Sequence, residues 1–205
     1  DFGAWTESAE LTVSDGAVFW MQPDSAPGGE TVVAQVTLAS GADATVVMGV
    51  QGRSAGGAAD WRASGVEFVI GAGGPPLQGG LAPSVDSLAS YDAAHTTYRL
   101  KVTPDSSAQN IYSIFGTPLS GAMRLPAAYQ CADPFGVNTG GTSPAVWATA
   151  NDATTGYAQY DSWLTVGITD GDTGALGTVG IDFGAWTESA GLTVSDGAVF
   201  WMQPD

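Results

Sequence analysis

The chain has 205 residues, 21 of them acidic, 5 basic and one a histidine, for a formal net charge of −16. That balance excludes nucleic-acid phosphate and anionic membrane as partners, since both are held through Lys and Arg neutralising negative charge, and no apolar run is long enough to insert into a bilayer as a helix. A hydrophobic content of 44% with seven Trp excludes wholesale disorder, while 13% charged residues and 29 Gly describe a sheet protein with many tight turns.

In chain order, the first 24 residues read DFGAWTESAELTVSDGAVFWMQPD. Strands are expected at 11–13 and 17–22. The second of these is apolar on both faces: Ala17, Phe19 and Met21 point one way, Val18 and Trp20 the other. A strand with one solvated face alternates with polar residues, as 97–103 does, so this one needs a second cover. Phe19, Trp20 and Met21 are therefore candidate interface residues, covered by a loop of the same chain or by a neighbouring copy. Further strands are expected at 31–38, 45–52, 66–70, 97–103, 110–115, 145–149 and 160–168, each short and rich in β-branched or aromatic residues. Residues 83–94 suit a helical turn or two, with Ser84 or Asp86 as cap. Clusters of Gly, Pro, Asp and Ser between these runs supply turns. The pattern predicts an all-β fold, an antiparallel β-sandwich or jelly-roll-like unit.

Residues 182–205 then repeat residues 1–24 at 23 of 24 positions, with Gly191 in place of Glu10. Agreement extends to surface residues such as Thr6, Ser8, Ser14 and Gln22, which a core leaves free to drift, so it reflects copied sequence. The period is 181 residues. The chain reads as one complete repeat, 1–181, followed by the opening strands of the next, 182–205, and Phe200, Trp201 and Met202 join the interface candidates. The other arrangement, in which 182–205 completes the first sandwich and 1–24 belongs to its predecessor, stays open. The 21 acids less the four of the second copy leave 17 against 5 bases, a net −12 per repeat.

Chemistry-bearing residues are sparse. His95 and Cys131 are single and without a supporting signature, and GxSxG, HExxH, CxxC and phosphate-cradling motifs are absent, so no catalytic residue is assigned and the chain is read as non-enzymatic. One cysteine per repeat cannot close an internal disulfide, so Cys131 is either a buried thiol or an intermolecular link. Asp170 and Asp172 resemble the start of a calcium loop, but Gly174 and Ala175 depart from the pattern and no Glu closes it. Calcium is the one cofactor weighed, beside a plain Asp-Gly turn. Trp5, Trp61, Trp147 and Trp163 are candidates for stacking on sugars. No Asn-x-Ser/Thr sequon occurs; glycosylation near 26–27, 82–83 or 143–144 would use Ser, Thr or hydroxylated Pro.

The segments YDSWLTVG, GIDFGAWTES and SDGAVFWMQPD give the chain a class-level resemblance to the tandem acidic β-domain arrays of secreted surface and fibre proteins, microbial adhesins and algal flagellar hairs among them. The resemblance implies a structural glycoprotein-like role at an extracellular surface and transfers no site residue. It leads to the expectation of a tandem-repeat protein that self-assembles end to end into a filament, with neighbouring copies and glycans as partners. For a near-spherical unit of 181 residues the rise would be roughly 40 Å per repeat. The alternatives are a carbohydrate-binding adhesive module and a subunit of a protein shell or sheet.

Overall fold

The structure is a computed structural model that describes residues 23–56, 59–71 and 80–202. The strands expected at 11–13 and 17–22 lie outside the described residues, as do Trp5, Phe19, Trp20 and Met21. β-branched runs form the long strands β1 (Thr31–Ala39), β2 (Ala44–Arg53), β3 (Asp60–Ile70) and β5 (His95–Pro104), because Val, Ile and Thr suit a pleated, packed surface. One sheet runs β10 (Trp163–Leu164), β1, β5, β4 (Leu81–Leu88). A second runs β11 (Leu176–Val179), β13 (Gly197–Trp201), β6 (Ser113–Gly116), β2, β7 (Met123–Leu125), β12 (Leu192–Val194), with β3 along the other edge of β2. All these pairs are antiparallel. A ribbon of β8 (Asn151–Asp152) and β9 (Gly156–Tyr157) completes an all-β, sandwich-like architecture.

The two sheets share one core. Val33, Val36 and Leu100 of the first sheet and Val46, Phe68 and Ile114 of the second are completely buried in the same cluster. Each such side chain contributes roughly 1.5–3 kcal/mol through removal from water. Gly49 marks where β2 bulges against β3. A Cβ there would lie 2.3 Å from the Phe115 ring on the neighbouring strand, so only glycine lets that ring cross β2.

Three elements depart from their sequence expectation. Residues 83–94 do not form a helical turn: Leu81, Pro83 and Val85 alternate with Ala82, Ser84 and Asp86, and this period of two makes β4 the edge strand beside β5. An edge position tolerates Pro83, which has no N–H to give. Residues 145–149 are not a strand, because Ser143 caps a short helix, α1 (Pro144–Trp147), with proline at its start. Of 160–168, Trp163 and Leu164 alone are strand, pairing with Gln35 and Ala34.

That last departure has a cause. β1 is buried on both faces, and its outer face is polar: Gln35, Thr37 and Thr97 of β5 are each at most 1% exposed. Irregular chain from 129 to 166 lies over them and answers their hydrogen-bonding groups. Gln35 Nε2 donates to the Asp161 carbonyl at 2.8 Å, Thr37 N donates to Ser162 Oγ at 3.0 Å, and Tyr129 N donates to the Thr37 carbonyl at 2.9 Å. A regular strand could not present these partners, since its backbone groups are committed to the ladder.

Asp161 organises this cover. Its carboxylate is 1% exposed and accepts the backbone N–H groups of Cys131, Val137 and Ser162 at 2.8, 2.7 and 2.9 Å. Burial pushes its pKa up to about 7, and the three N–H donors pull in the opposite direction. Between about pH 4 and pH 7 the folded chain therefore retains a proton that the unfolded chain has lost. This group's contribution to stability is fully present below about pH 4 and falls as pH rises to 7. Replacing Asp161 by Asn should remove that portion of the pH slope in denaturant melts. It should also destabilise by about 1–3 kcal/mol, because an amide NH2 then faces a buried N–H.

Candidate functional site

The duplicated segment gives the site its starting point, and its C-terminal copy is woven into the second sheet. Asp182 Oδ1 accepts from Gly184 N and turns the chain into the sheet. Trp186, 2% exposed, donates from Nε1 to the Pro126 carbonyl at 2.8 Å, and Ala128 N donates to the Thr187 carbonyl at 3.0 Å. β12 then pairs along β7, Leu192 opposite Leu125 and Val194 opposite Met123. β13 lies between β6 and β11, paired along its length with both. Leu192, Val194 and Val199 join the main core at 3% exposure or less. Residues 182–202 are thus packed as part of the unit formed by 23–181, and not as a segment apart from it.

This placement decides the fate of the interface candidates. Phe200 is 6% exposed and lies against Gly177 and Met202, so its cover comes from this chain and it is not an exposed interface residue. Trp201 and Met202 are half-buried. Trp201 N donates to the Tyr112 carbonyl, and Trp201 Nε1 donates to Ser25 Oγ at 3.1 Å. The last residues of the second copy therefore touch the residues that directly follow the first copy. Arg53 strengthens this corner by pairing with Asp24 at 3.0 Å and Asp60 at 2.8 Å.

Two open clefts flank β13. One, of about 510 Å³, is lined by Trp201 and by the loop that carries Asp170 and Asp172. The other, of about 500 Å³, is lined by Phe200, Tyr112, Pro23, Arg53 and Asp60. Asp170 and Asp172 do come together, with Asp172 N donating to Asp170 Oδ1 at 3.2 Å. Both are exposed, and among the described residues no group of three or more His, Cys, Asp or Glu is placed to hold a metal. The geometry is that of an Asp turn, which needs no ion.

The remaining candidates have other engagements. His95 Nδ1 is 2.7 Å from Asp92 Oδ1, and its ring stacks on Tyr91 at 4.7 Å. Cys131 is 8% exposed, its Sγ directed at the Ala132 carbonyl, and burial followed by the nearby Asp161 charge raises its pKa. A thiol so placed presents nothing for an intermolecular disulfide. Trp163 is 2% exposed; Trp61 Nε1 donates to the Arg53 carbonyl and Trp147 Nε1 to Thr142 Oγ1. These rings pack inward or are tied to the chain, and none is a free stacking platform.

A tyrosine cluster escaped the sequence reading. Tyr91 stacks on Tyr157 at 4.3 Å with 6° between planes and meets Tyr129 at 4.9 Å, which pins the β4–β5 connection to the cover. The Tyr91 hydroxyl is pushed up to about 12 by burial and by Asp92 and Glu188, the latter from the C-terminal copy. No periodicity links residues 91, 129 and 157, so nothing in the one-dimensional pattern joins them.

Compared with protein-family models, curated proteins and solved structures, the chain matches none. The buried thiol gives a direct check. In native buffer Cys131 should react with a thiol reagent roughly a hundredfold or more slowly than in urea. Rapid native labelling would place the thiol at the surface.

Proposed function

We propose that the chain is a non-enzymatic structural unit of a tandem-repeat protein that assembles into an extracellular filament, stalk or surface fibre. The observation that carries this reading is the 181-residue duplication together with the place of its second copy, which fills strand positions in the sandwich. A segment that completes a unit and recurs at the period of that unit is what a chain of such units contains. The acidic surface is in keeping with this role. A charge of −12 on every repeat keeps a long polymer soluble and resists lateral collapse. Four of the five bases are turned inward to partners of this chain: Arg53 and Lys101 to carboxylates, Arg62 over Phe115 and Arg99 over Trp163. Among the described residues no helix is long and apolar enough to cross a membrane.

The corner at Ser25 and Trp201 sets how such units would follow one another. Trp20, the counterpart of Trp201 in the first copy, precedes Ser25 by five residues. Five residues reach at most about 18 Å. Within one unit, Ser25 and Trp201 are already in hydrogen-bond contact. The chain would thus leave each unit beside the place where it entered and reach the next within a short link. Successive units then branch from a common line, and their spacing along it falls below the roughly 40 Å breadth of one unit.

Chains with one, two and four 181-residue repeats test the reading by electron microscopy. The expected outcome is elongated particles whose length grows linearly, by less than about 30 Å per repeat. Compact particles of unchanged shape would overturn the filament reading. Growth of 40 Å or more per repeat would overturn the branched arrangement alone.

A further inference from the structure

The molecule contains one slot, walled by β6, β7 and β11, and two segments of nearly one sequence that could fill it. Residues 182–202 occupy it, and residues 1–21 differ from them only in carrying Glu10 where the occupant has Gly191. That difference falls where the slot has no room. Gly191 is open to solvent on one side, yet a Cβ built on it would lie 2.5 Å from the Leu125 carbonyl oxygen and 3.3 Å from Ala127 N and from the Pro126 carbonyl carbon. All three are backbone atoms. The position of a Cβ is set by its own backbone, so no rotamer relieves the contact.

The backbone on either side is also held in place. Trp186 Nε1 is bonded to the Pro126 carbonyl at 2.8 Å, Ala128 N to the Thr187 carbonyl at 3.0 Å, and Leu192 is in register with Leu125 on β7. Gly191 lies between these fastenings, so a side chain there would have to part strands that the bonds hold together.

We infer that Gly191 assigns the slot to the C-terminal copy and that Glu10 bars the N-terminal copy from it, whether offered by the same chain or by a second one. Nearly identical segments on one chain invite exchange, since each fits the other's place and swapping costs little. A single residue at the tightest point of the slot removes that ambiguity while leaving every other contact of the segment unchanged. Overpacking against fixed backbone shifts such a pairing equilibrium by roughly tenfold or more. The inference needs only two copies and one slot, so it does not depend on the filament reading.

A disulfide trap in the full-length chain reads which copy lies against β7. Thr193 is opposite Arg124 across the β12–β7 pair, and both are exposed; Thr12 is the counterpart of Thr193 in the first copy. In a Cys131→Ser background, Arg124→Cys is combined with either Thr193→Cys or Thr12→Cys. After oxidation, peptide mapping counts the cross-link, and non-reducing gels separate links within a chain from links between chains.

The Thr193→Cys chain should cross-link efficiently and the Thr12→Cys chain only in trace. Adding Glu10→Gly to the Thr12→Cys chain should raise its yield by roughly tenfold or more. This substitution alters only the copy outside the slot and so leaves the folded unit in place. Yields are compared with and without Glu10→Gly in one background, because the connection from β11 to β13 favours the C-terminal copy in both. A Thr12→Cys yield unchanged by Glu10→Gly, or one already equal to that of Thr193→Cys, overturns the inference. Gly191→Ala in the otherwise native chain adds only the Cβ and should lower the melting temperature by roughly 3–10 °C; an unchanged melt overturns the steric premise.

Discussion

The structure depends above all on the insertion of β13 between β6 and β11. Every other feature of the second sheet follows from that pairing. It supplies Val199 to the core, brings β11 into the sheet, and holds the connection that carries β12 to β7. Without it, β6 and β11 would each present an open row of N–H and C=O groups, and the sandwich would have an unpaired edge through its middle. The same strand ends at Trp201, whose indole reaches Ser25. One pairing therefore closes the core and also fixes where the chain enters and leaves the unit.

The first sheet is held by a different principle. Its outer face is neither solvated nor apolar; it is a buried polar seam of Gln35, Thr37 and Thr97, answered by irregular chain. Such a seam is favourable only when every group finds a partner, since an unsatisfied buried donor costs more than a satisfied one contributes. Asp161 meets that condition for three N–H groups at once. It fixes residues 131, 137 and 162 relative to one another and so shapes the cover that lies over β1. The tyrosine cluster around Tyr91 fastens the far end of the same layer.

Much of the fold was legible in the residue pattern, and the failures are instructive. β1, β2 and β5 follow directly from long β-branched runs, and the two strands of the duplicated segment recur at the same offset in 192–194 and 197–201. β4 was missed because Pro83, Ser84 and Asp86 read as turn and cap chemistry, while the alternation of Leu81, Pro83 and Val85 gains weight only once β5 is there to pair with. The run 160–168 has strand composition but serves as cover, because its polar atoms are needed by β1. The interface candidates divide in the same way: Phe200 is apolar because it is packed inside this chain, a destination that composition does not reveal.

By itself the sequence determines the acidic charge, the all-β class and the 181-residue period, because these depend on composition, on side-chain alternation and on identity between segments. It does not determine which sheet takes the second copy, nor which of two near-identical segments fits there. Those were decided in three dimensions, where Gly191 meets the Leu125 carbonyl and a methylene has no space. Twenty-three matching residues make the copies interchangeable on paper. The backbone packed against the twenty-fourth distinguishes them, since steric exclusion acts between atoms that are distant in sequence and adjacent only in the folded chain.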